Sequence, residues 1–261
     1  MTRTTTIAVL GLGEAGTIYA RGLAAAGARV RGYDPFASRS LDGIDRIDDL
    51  ARAVDGADAV LSLVGGASAL AVAAPALAAL RPEAVYADFN TAGPDVKRGV
   101  AALATARGIP MADVAVLAPV PRAGHRTGVL ASGDGARPLA ELLEPLGVPV
   151  ETIDAAAGEA ARLRLLRSGF MKGLAGLVIE GLGAARTTGD EEWLRRQMAA
   201  ELGPGGADLI DRLLDGTHRH AARRAFEMRA VVAAAEASGQ PADLARETLA
   251  WLERIAGERS G

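Results

Sequence analysis

The chain contains no cysteine in its 261 residues. Disulfide bonds, thiolate catalysis and cysteine-ligated metal sites are therefore excluded. The fold must depend on a packed core, and apolar residues make up 49% of the chain. A chain of this length and composition can form one large domain or two of ordinary size.

The chain also lacks a basic stripe and a long apolar run. The formal net charge is −3 and no basic stripe occurs, so the sequence predicts no binding to nucleic acid or to a membrane surface. No charge-free apolar run reaches the roughly 18 residues that a membrane span needs. The first predicted strand begins at Thr5, which leaves no room for a signal peptide, so a cytoplasmic protein is predicted.

Lysine is rare, because Lys97 and Lys172 are the two lysines among 29 basic side chains. The excess of arginine and alanine is typical of a nucleotide bias in the source genome and carries no information about function. Each lysine is therefore a candidate for a specific role.

A glycine-rich turn stands close to the N-terminus. A strand-like run at residues 5–10 precedes it, a helix-like run at 17–26 follows it, and a second strand-like run at 29–33 leads to Asp34. This order of strand, turn, helix, strand and acid is typical of a dinucleotide-binding unit. The predicted cofactor contacts in the turn are Gly11, Leu12, Gly13, Glu14, Ala15 and Gly16.

Each glycine of the turn has its own role in this prediction. Gly11 allows the tight turn, Gly13 lets a pyrophosphate approach the backbone, and Gly16 lets the helix pack closely on the strand. The pyrophosphate would lie at the helix N-terminus, where free N–H groups and the helix dipole favour an anion. The alternative is a domain of the same fold that keeps the turn without a ligand.

Asp34 bears on the choice of cofactor. Its carboxylate can accept hydrogen bonds from an adenosine ribose and would repel a 2′-phosphate, so NAD(H) is the predicted cofactor. Arg39 lies close in sequence, which keeps NADP(H) open as the alternative.

The first part of the chain alternates between strand-like and helix-like runs. Further strands are predicted at residues 58–64, 84–89, 111–117, 127–131 and 148–153, and helices at 67–80, 95–107 and 136–146. Pro75 predicts a kink or restart in the first of these helices. The alternation predicts an α/β domain at 1–155, with a Rossmann-type, doubly wound, mostly parallel sheet that binds ligands at the carboxyl ends of its strands.

No strand-like run follows residue 155, so an all-α domain for substrate binding and dimerisation is predicted at 156–261. It opens with a long interdomain helix at 158–186. Shorter helices are predicted at 191–202, 206–214, 218–238 and 242–256. The glycines within the long helix, which weaken a helix, predict close packing against another backbone, and they are Gly169, Gly173, Gly176, Gly181 and Gly183.

A polar stripe follows one face of the long helix, at Arg164, Ser168, Lys172, Gly176 and Glu180. A lysine on an otherwise apolar helix must meet a cleft or a carboxylate, because an unpaired buried ammonium is costly. From spacing alone, pairing of Lys172 with Glu180, or of Arg164 with an acid, on a solvated face is the simpler explanation.

Several segments form a larger pattern: the turn at 11–16, Tyr33-Asp34, and the runs at 88–94, 113–116 and 169–172. This pattern covers most of the chain and resembles the β-hydroxyacid dehydrogenase superfamily, which includes 3-hydroxyisobutyrate and 6-phosphogluconate dehydrogenases. The run at 165–174 is most similar to a bacterial branch of NAD(P)-dependent, phosphogluconate-dehydrogenase-like oxidoreductases.

The resemblance implies a Rossmann domain, an all-α domain that packs as a homodimer, and acid–base catalysis by the lysine on the interdomain helix, here Lys172. Two positions depart from the familiar members. A Ser-Gly-Gly turn is replaced by Leu117-Ala118-Pro119, and an asparagine four residues after the lysine is replaced by Gly176. Oxidation of a simple β-hydroxy acid or sugar acid is therefore not carried over to this chain.

The remaining cofactor and substrate contacts are predicted from where the residues stand along the chain. Val64, Asn90 and Thr91 stand at strand ends, where they would contact the cofactor, although ordinary turn chemistry also explains an asparagine there. The predicted substrate contacts are Pro119, Arg122, His125, Ser168 and Lys172. Arg122 or Arg126 can bind a carboxylate or phosphate in forked geometry, and the alternative is an exposed basic loop.

His218 and His220 lie with Arg219, Arg223 and Arg224 on a predicted basic helix face. Histidines at positions i and i+2 point to different sides of a helix, and no third ligand lies near them in sequence. No metal site is therefore predicted. A minor alternative is that His220 or Arg223 reaches an active site.

Three functions remain in view. The leading prediction is an oxidoreductase that transfers a hydride between a nicotinamide cofactor and the hydroxyl or ketone carbon of a small, anionic, hydroxy-acid-like substrate. Lys172 would take or return the proton. The alternatives are an imine reductase of the same superfamily, although such enzymes often lack the lysine, and a non-catalytic dinucleotide-binding sensor, which would not need Lys172.

Overall fold

The computed structural model describes residues 4–37 and 41–258 of the chain. The chain divides into two compact units, residues 1–164 and residues 165–261. The first unit is α/β and the second is helical, which confirms the predicted fold class. Within the described residues, no helix is both long enough and apolar enough to cross a membrane.

The first unit is built on an eight-stranded sheet. Its strands are β1 (Thr6–Leu10), β2 (Arg29–Tyr33), β3 (Asp45–Arg46), β4 (Ala59–Ser62), β5 (Val85–Asp88), β6 (Met111–Val116), β7 (Val129–Ser132) and β8 (Val150–Thr152). Their spatial order is β3-β2-β1-β4-β5-β6-β7-β8, and β6 with β7 is the antiparallel pair. The carboxyl ends of β1 to β6 therefore share one edge, called here the carboxyl edge, at which the reversed strands β7 and β8 begin.

The helices follow the same chain order. They are α1 (Glu14–Ala25), α2 (Leu50–Val54), α3 (Ala69–Ala79), α4 (Pro94–Thr105), α5 (Val120–Ala123), α6 (Ala136–Leu143), α7 (Glu159–Thr188), α8 (Glu191–Glu201), α9 (Gly206–Ala237) and α10 (Asp243–Glu258). Short 3₁₀ turns occupy Gly66–Ser68, Gly124–Arg126 and Glu144–Leu146.

Both faces of the sheet are buried. In β1, Ile7 and Val9 belong to the apolar cluster on one face, whereas Ala8 and Leu10 belong to the cluster on the other. Successive side chains of a strand point to opposite faces, so a strand covered on both sides reads as a continuous apolar run. This is why the central strands could be predicted from sequence.

Short and irregular elements were not predicted. β3 and α2 lie between the second and third predicted strands, and α5 replaces part of a predicted loop at 121–126. A strand of two residues or a helix of four is too short to show a periodic pattern. Of the kink or restart predicted at Pro75, the restart does not occur, because α3 continues through Pro75 as one helix.

The second unit consists of the rest of α7 with α8, α9 and α10, and no strand occurs among residues 165–258. Val178 and Leu182 of α7 pack with Ile210 and Leu213 of α9 in one apolar cluster. The two predicted helices at 206–214 and 218–238 form the two parts of α9, which are joined at a kink where His220 is non-helical (φ −125°, ψ 26°). The break predicted near residue 216 is therefore wrong by about one helical turn.

The glycines of α7 face side chains rather than another backbone. A Cβ at Gly169 would lie 2.9 Å from Val231, and one at Gly181 would lie 2.7 Å from Cε of Met198. At Gly176 and Gly183, no atom of the described residues outside the helix's own turn lies within 4 Å of such a Cβ. At Gly169 and Gly181 the predicted packing against a backbone is therefore wrong, because side chains of α9 and α8 lie there, and at Gly176 and Gly183 it stays a prediction.

Candidate active site

The glycine turn after β1 has no room for side chains at two of its positions. Gly11 has a φ of +90°, and a Cβ there would lie 2.6 Å from the carbonyl oxygen of Leu63. A Cβ at Gly16, in the first turn of α1, would overlap the carbonyl oxygen of Gly11. Gly11 and Gly16 therefore make the tight turn and the close helix contact that were predicted for them.

Gly13 differs from its neighbours because the space around it is open. It is the N-cap of α1, and a Cβ there would meet no described atom within 4 Å. No side chain in the described part of the chain caps this helix, so its N-terminal N–H groups face the open side of the turn. The turn therefore fits a pyrophosphate, which needs hydrogen-bond donors and close access to the backbone.

The other turn residues have different exposures. Leu12 is buried, Ala15 is half-buried and Glu14 is exposed. The hydroxyl of Thr17 donates to the carbonyl oxygen of Leu12 at 2.8 Å, which helps to hold the turn.

Asp34 stands directly after β2 and touches the glycine turn. Its Oδ2 accepts a hydrogen bond from the N–H of Leu12 at 2.8 Å, and its Oδ1 accepts one from the N–H of Phe36 at 2.9 Å. Each carboxylate oxygen can accept a further bond, so the group remains able to bind hydroxyls. The neighbouring Phe36 is 95% exposed. Arg39, which kept NADP(H) open, lies outside the described residues.

Asn90 is buried and links two strand ends at the carboxyl edge. Its Oδ1 accepts from the N–H of Gly65 at 2.8 Å, and its Nδ2 donates to Oγ of Ser62 at 3.0 Å. The side chain therefore holds the loop after β4 against the turn after β5. Thr91 is exposed and Val64 is half-buried beside this link.

The segment after β6 carries the predicted substrate contacts. Pro119 and Arg122 are exposed at the start of α5 and within it. His125 packs against α1, where a Cβ at Gly22 would overlap its imidazole ring. Gly22 lies more than two helical turns beyond Gly13, so the structure does not bring His125 to the glycine turn.

An open depression of about 500 Å³ lies further along the carboxyl edge, where β7 and β8 begin. Leu117, Val129, Val148 and Pro149 contribute to its mainly apolar lining. None of the predicted cofactor or substrate contacts lines it.

Lys172 occupies a buried position in the second unit. Its side chain is 8% exposed, and Nζ donates to Oε2 of Glu227 at 2.8 Å and to Oγ of Ser168. Glu227 lies on α9 and is 22% exposed. Glu180, the acid suggested by the helix spacing, accepts a hydrogen bond from Nε1 of Trp251. The predicted carboxylate partner exists, but it comes from another helix.

The basic face of α9 lies next to this pair. Arg223 approaches Glu227 at 3.9 Å, and Arg224 donates to the hydroxyl of Thr217. Burial lowers the pKa of Arg224 from its ordinary value, although a guanidinium stays charged near neutral pH. No group of three histidine, cysteine or acidic side chains able to hold a metal ion was found among residues 4–37 and 41–258.

A family model for the NAD binding domain of 6-phosphogluconate dehydrogenase matches residues 6–148, which is more than half of the chain. The chain belongs to this family. A second model, described as a domain of unknown function, matches residues 185–255 in the helical unit. The matched NAD-binding domain supports a nicotinamide cofactor.

Solved structures share the fold of this chain. A conserved hypothetical protein from Sinorhizobium meliloti is 34% identical, with a TM-score of 0.77 over 98% of this chain and 88% of that one. A 3-hydroxyisobutyrate dehydrogenase from Mycobacterium tuberculosis is 23% identical, with a TM-score of 0.84 over 98% and 94%. An imine reductase variant from Myxococcus stipitatus is 17% identical, with a TM-score of 0.68 over 98% and 95%. The last two likenesses concern the fold alone.

Glu227 and Lys97 were not predicted from the sequence as parts of a site. Glu227 stood in a run of helical residues with no motif to mark it. Lys97 was noticed only for its rarity, and it is 1% exposed, with Asp88 and Asp113 each 3.3 Å from its ammonium. Both lysines of the chain therefore lie in buried ion pairs, and for Lys97 its rarity was the one available signal.

Proposed function

We propose that the protein is a nicotinamide-dependent oxidoreductase that transfers a hydride between the cofactor and the hydroxyl or ketone carbon of a small, anionic, hydroxy-acid-like substrate. The observation that carries the proposal is the buried pair of Lys172 and Glu227 in a chain of an NAD-binding family. This ammonium supports a role in proton transfer, because it lies on the helix and in the sequence run where the family resemblance implies the catalytic lysine. A sensor without catalysis would not need it.

Cofactor binding is assigned to residues 1–155. The N–H groups at the start of α1 would bind the pyrophosphate over Gly13, and Asp34 would accept hydrogen bonds from the adenosine ribose, which favours NAD(H) over NADP(H). Thr91 and Val64 would border the nicotinamide end, with Asn90 holding the loops that carry them. The bound nicotinamide would supply or take up the hydride.

Substrate chemistry is assigned to residues 156–261 with the segment after β6. Lys172 would donate a proton to the carbonyl oxygen during reduction and accept it during oxidation. Glu227 would hold the ammonium in place through the hydrogen bond from Nζ at 2.8 Å. Ser168 would orient the ammonium, while Pro119, Arg122 and His125 remain the proposed substrate contacts from the first unit.

Reduction of an imine is the second candidate. It is favoured by the loss of the two family positions that anchor hydroxy acids, now Leu117-Ala118-Pro119 and Gly176. The presence of Lys172 argues against it.

A substrate panel separates the candidates. Hydroxy acids, ketones and cyclic imines would be offered with NADH, NADPH and their oxidised forms, and turnover followed through the absorbance of the reduced nicotinamide. Turnover of hydroxy acids or their ketones supports the proposal. Turnover of cyclic imines alone would replace it by the second candidate, and tight cofactor binding without any turnover would favour a sensor.

The helical unit is also proposed to form a homodimer. Leu166, Phe170 and Leu177 on α7 and Phe226 on α9 are each at least 60% exposed. Large apolar side chains concentrated on two neighbouring helices are typical of a surface that a partner covers.

A further inference from the structure

We propose that Lys97 is a positioning residue that holds two parts of the carboxyl edge in place: the turn after β5 and the first turn of α7. The inference rests on the proposed function in one respect, because it takes the turn at Asn90 as a border of the cofactor site. The contacts themselves lie entirely within the first unit.

The Lys97 ammonium is enclosed on all sides. It donates to the carbonyl oxygen of Asp88 at 2.6 Å and to that of Val114 at 3.4 Å. Oδ1 of Asp88 and Oδ1 of Asp113 are each 3.3 Å away, and all three side chains are at most 1% exposed. These partners surround the ammonium, and a buried ammonium without partners would be strongly unfavourable.

Two chains of contacts, called here arms, lead away from the cluster of Lys97, Asp88 and Asp113. The first arm connects Lys97 to the turn at Asn90 through Asp88. Oδ1 of Asp88 accepts a hydrogen bond from the N–H of Asn90 at 2.8 Å. Asn90 in turn holds the N–H of Gly65 in the loop after β4. Lys97 therefore acts on both loops through one carboxylate.

The second arm reaches the start of α7 through Asp113. Oδ2 of Asp113 accepts from the N–H of Gly158 at 2.9 Å and from that of Ala161 at 3.0 Å. Oγ of Ser132 accepts from the N–H of Ala160 at 3.1 Å and lies 3.3 Å from the same carboxylate oxygen. These are the N–H groups that a helix leaves without internal partners, and the negative carboxylate also suits the helix dipole.

Both arms depend on the positive charge of Lys97. Asp88 and Asp113 are register neighbours on β5 and β6, so their carboxylates would repel each other without a cation between them. Among the described residues, Oδ2 of Asp88 and Oδ1 of Asp113 accept no hydrogen bond. The ammonium of Lys97 is thus the cation that contacts both carboxylates and holds both arms in place.

Amide hydrogen exchange in Lys97→Met tests the positioning role without any cofactor. We expect exchange of the Asn90, Gly65, Gly158 and Ala161 amides to rise roughly ten- to a hundred-fold, the scale of losing a hydrogen bond to a charged group. Exchange of the β2 amides should stay unchanged. An equal rise at all amides would show a purely global loss of stability and would overturn the proposal, as would no rise at the four amides.

Arg81→Met is the matched control. Arg81 pairs with the buried Asp58 at the opposite edge of the same sheet, where Asp58 holds the N–H of Thr6. The variant removes a cation from a buried carboxylate, so it should raise exchange at Thr6 and leave the four amides of the carboxyl edge unchanged. A rise at those four amides in this control would overturn the assignment to Lys97.

Two further variants keep the test decisive if Lys97→Met does not fold. Asp88→Ala and Asp113→Ala each leave one ammonium with one carboxylate, so neither variant leaves a buried charge without a partner. Asp113→Ala should raise exchange at Gly158 and Ala161 alone, and Asp88→Ala at Asn90 and Gly65 alone. Identical patterns in both variants would overturn the two-arm arrangement.

Calorimetry with NADH separates this inference from the proposed function. Asp88→Ala should weaken NADH binding by a few-fold to about tenfold, whereas Arg81→Met should not change it. A wild-type protein that binds no nicotinamide would contradict the proposed function and leave the exchange result standing. Unchanged affinity in Asp88→Ala, with raised exchange at Asn90, would remove the turn from the cofactor site.

Discussion

At the scale of single residues, Lys172 decides whether the candidate site performs proton transfer. Lys172→Ala should lower turnover by roughly 10²- to 10⁴-fold, the usual scale of general acid–base catalysis. Cofactor affinity should remain nearly intact, because the proposed pyrophosphate and ribose contacts lie on the first unit. Steady-state kinetics and calorimetry measure the two quantities separately.

Lys172→Arg should restore little activity, because a guanidinium does not deprotonate near neutral pH. Arg167→Ala is a suitable control, since Arg167 is an exposed basic residue on the same helix, and it should leave turnover unchanged. Full turnover in Lys172→Ala would place proton transfer elsewhere and would favour imine reduction.

Asp34 determines the expected choice of cofactor. NADH should bind about tenfold more tightly than NADPH, because a partly exposed carboxylate repels the 2′-phosphate with a force that solvent reduces. Asp34→Asn keeps one oxygen acceptor and removes the charge, so it should reduce the difference in affinity between NADH and NADPH. Calorimetric titration with both cofactors measures it, and tighter binding of NADPH to the wild-type protein would contradict the prediction.

At the scale of elements, two glycines of the turn between β1 and α1 have different expected roles, Gly16 in folding and Gly13 in cofactor binding. Gly13→Val places a side chain in open space, so it should leave the melting temperature nearly unchanged and weaken both cofactors by more than about tenfold through blocked access. Gly16→Val overlaps the Gly11 carbonyl, so it should destabilise the first unit by several kcal/mol or prevent folding. Thermal melts and calorimetry of the two variants form one experiment, and unchanged NADH affinity in a folded Gly13→Val protein would count against the turn as the pyrophosphate site.

At the scale of the whole molecule, the exposed apolar side chains of α7 and α9 predict a homodimer. Light scattering at micromolar concentration should report twice the 26.6 kDa mass of the chain. Phe170→Asp should shift the protein towards monomer, because it buries a charge in the proposed interface. Leu70→Asp, at a partly exposed leucine of α3, is the control and should leave the mass unchanged. A monomeric wild-type protein would contradict the prediction.

Periodic elements were predictable because their signals are local. β1 and β2 were predicted within a residue of their ends: β1 is the continuous run of a strand covered on both faces, and β2 alternates in burial along Arg29–Tyr33. α1 was predicted to begin at residue 17 but begins at Glu14, because a glycine in the first turn does not prevent helical dihedral angles. The kink of α9 at His220 was predicted about one turn too early, near Gly216, and the helix predicted across Pro75 continues there as α3 without a restart.

The sequence by itself determined the α/β class, the glycine turn and the two lysines as candidates, because strand and helix periodicity and the steric needs of Gly11 and Gly16 are local properties of the chain. Only the tertiary structure decided the partners of the charged groups. Lys172 meets Glu227 across 55 residues, and Lys97 meets Asp113 across the sheet. A buried ammonium must find a carboxylate, but which one depends on how strands and helices pack, and no spacing along the chain contains that information.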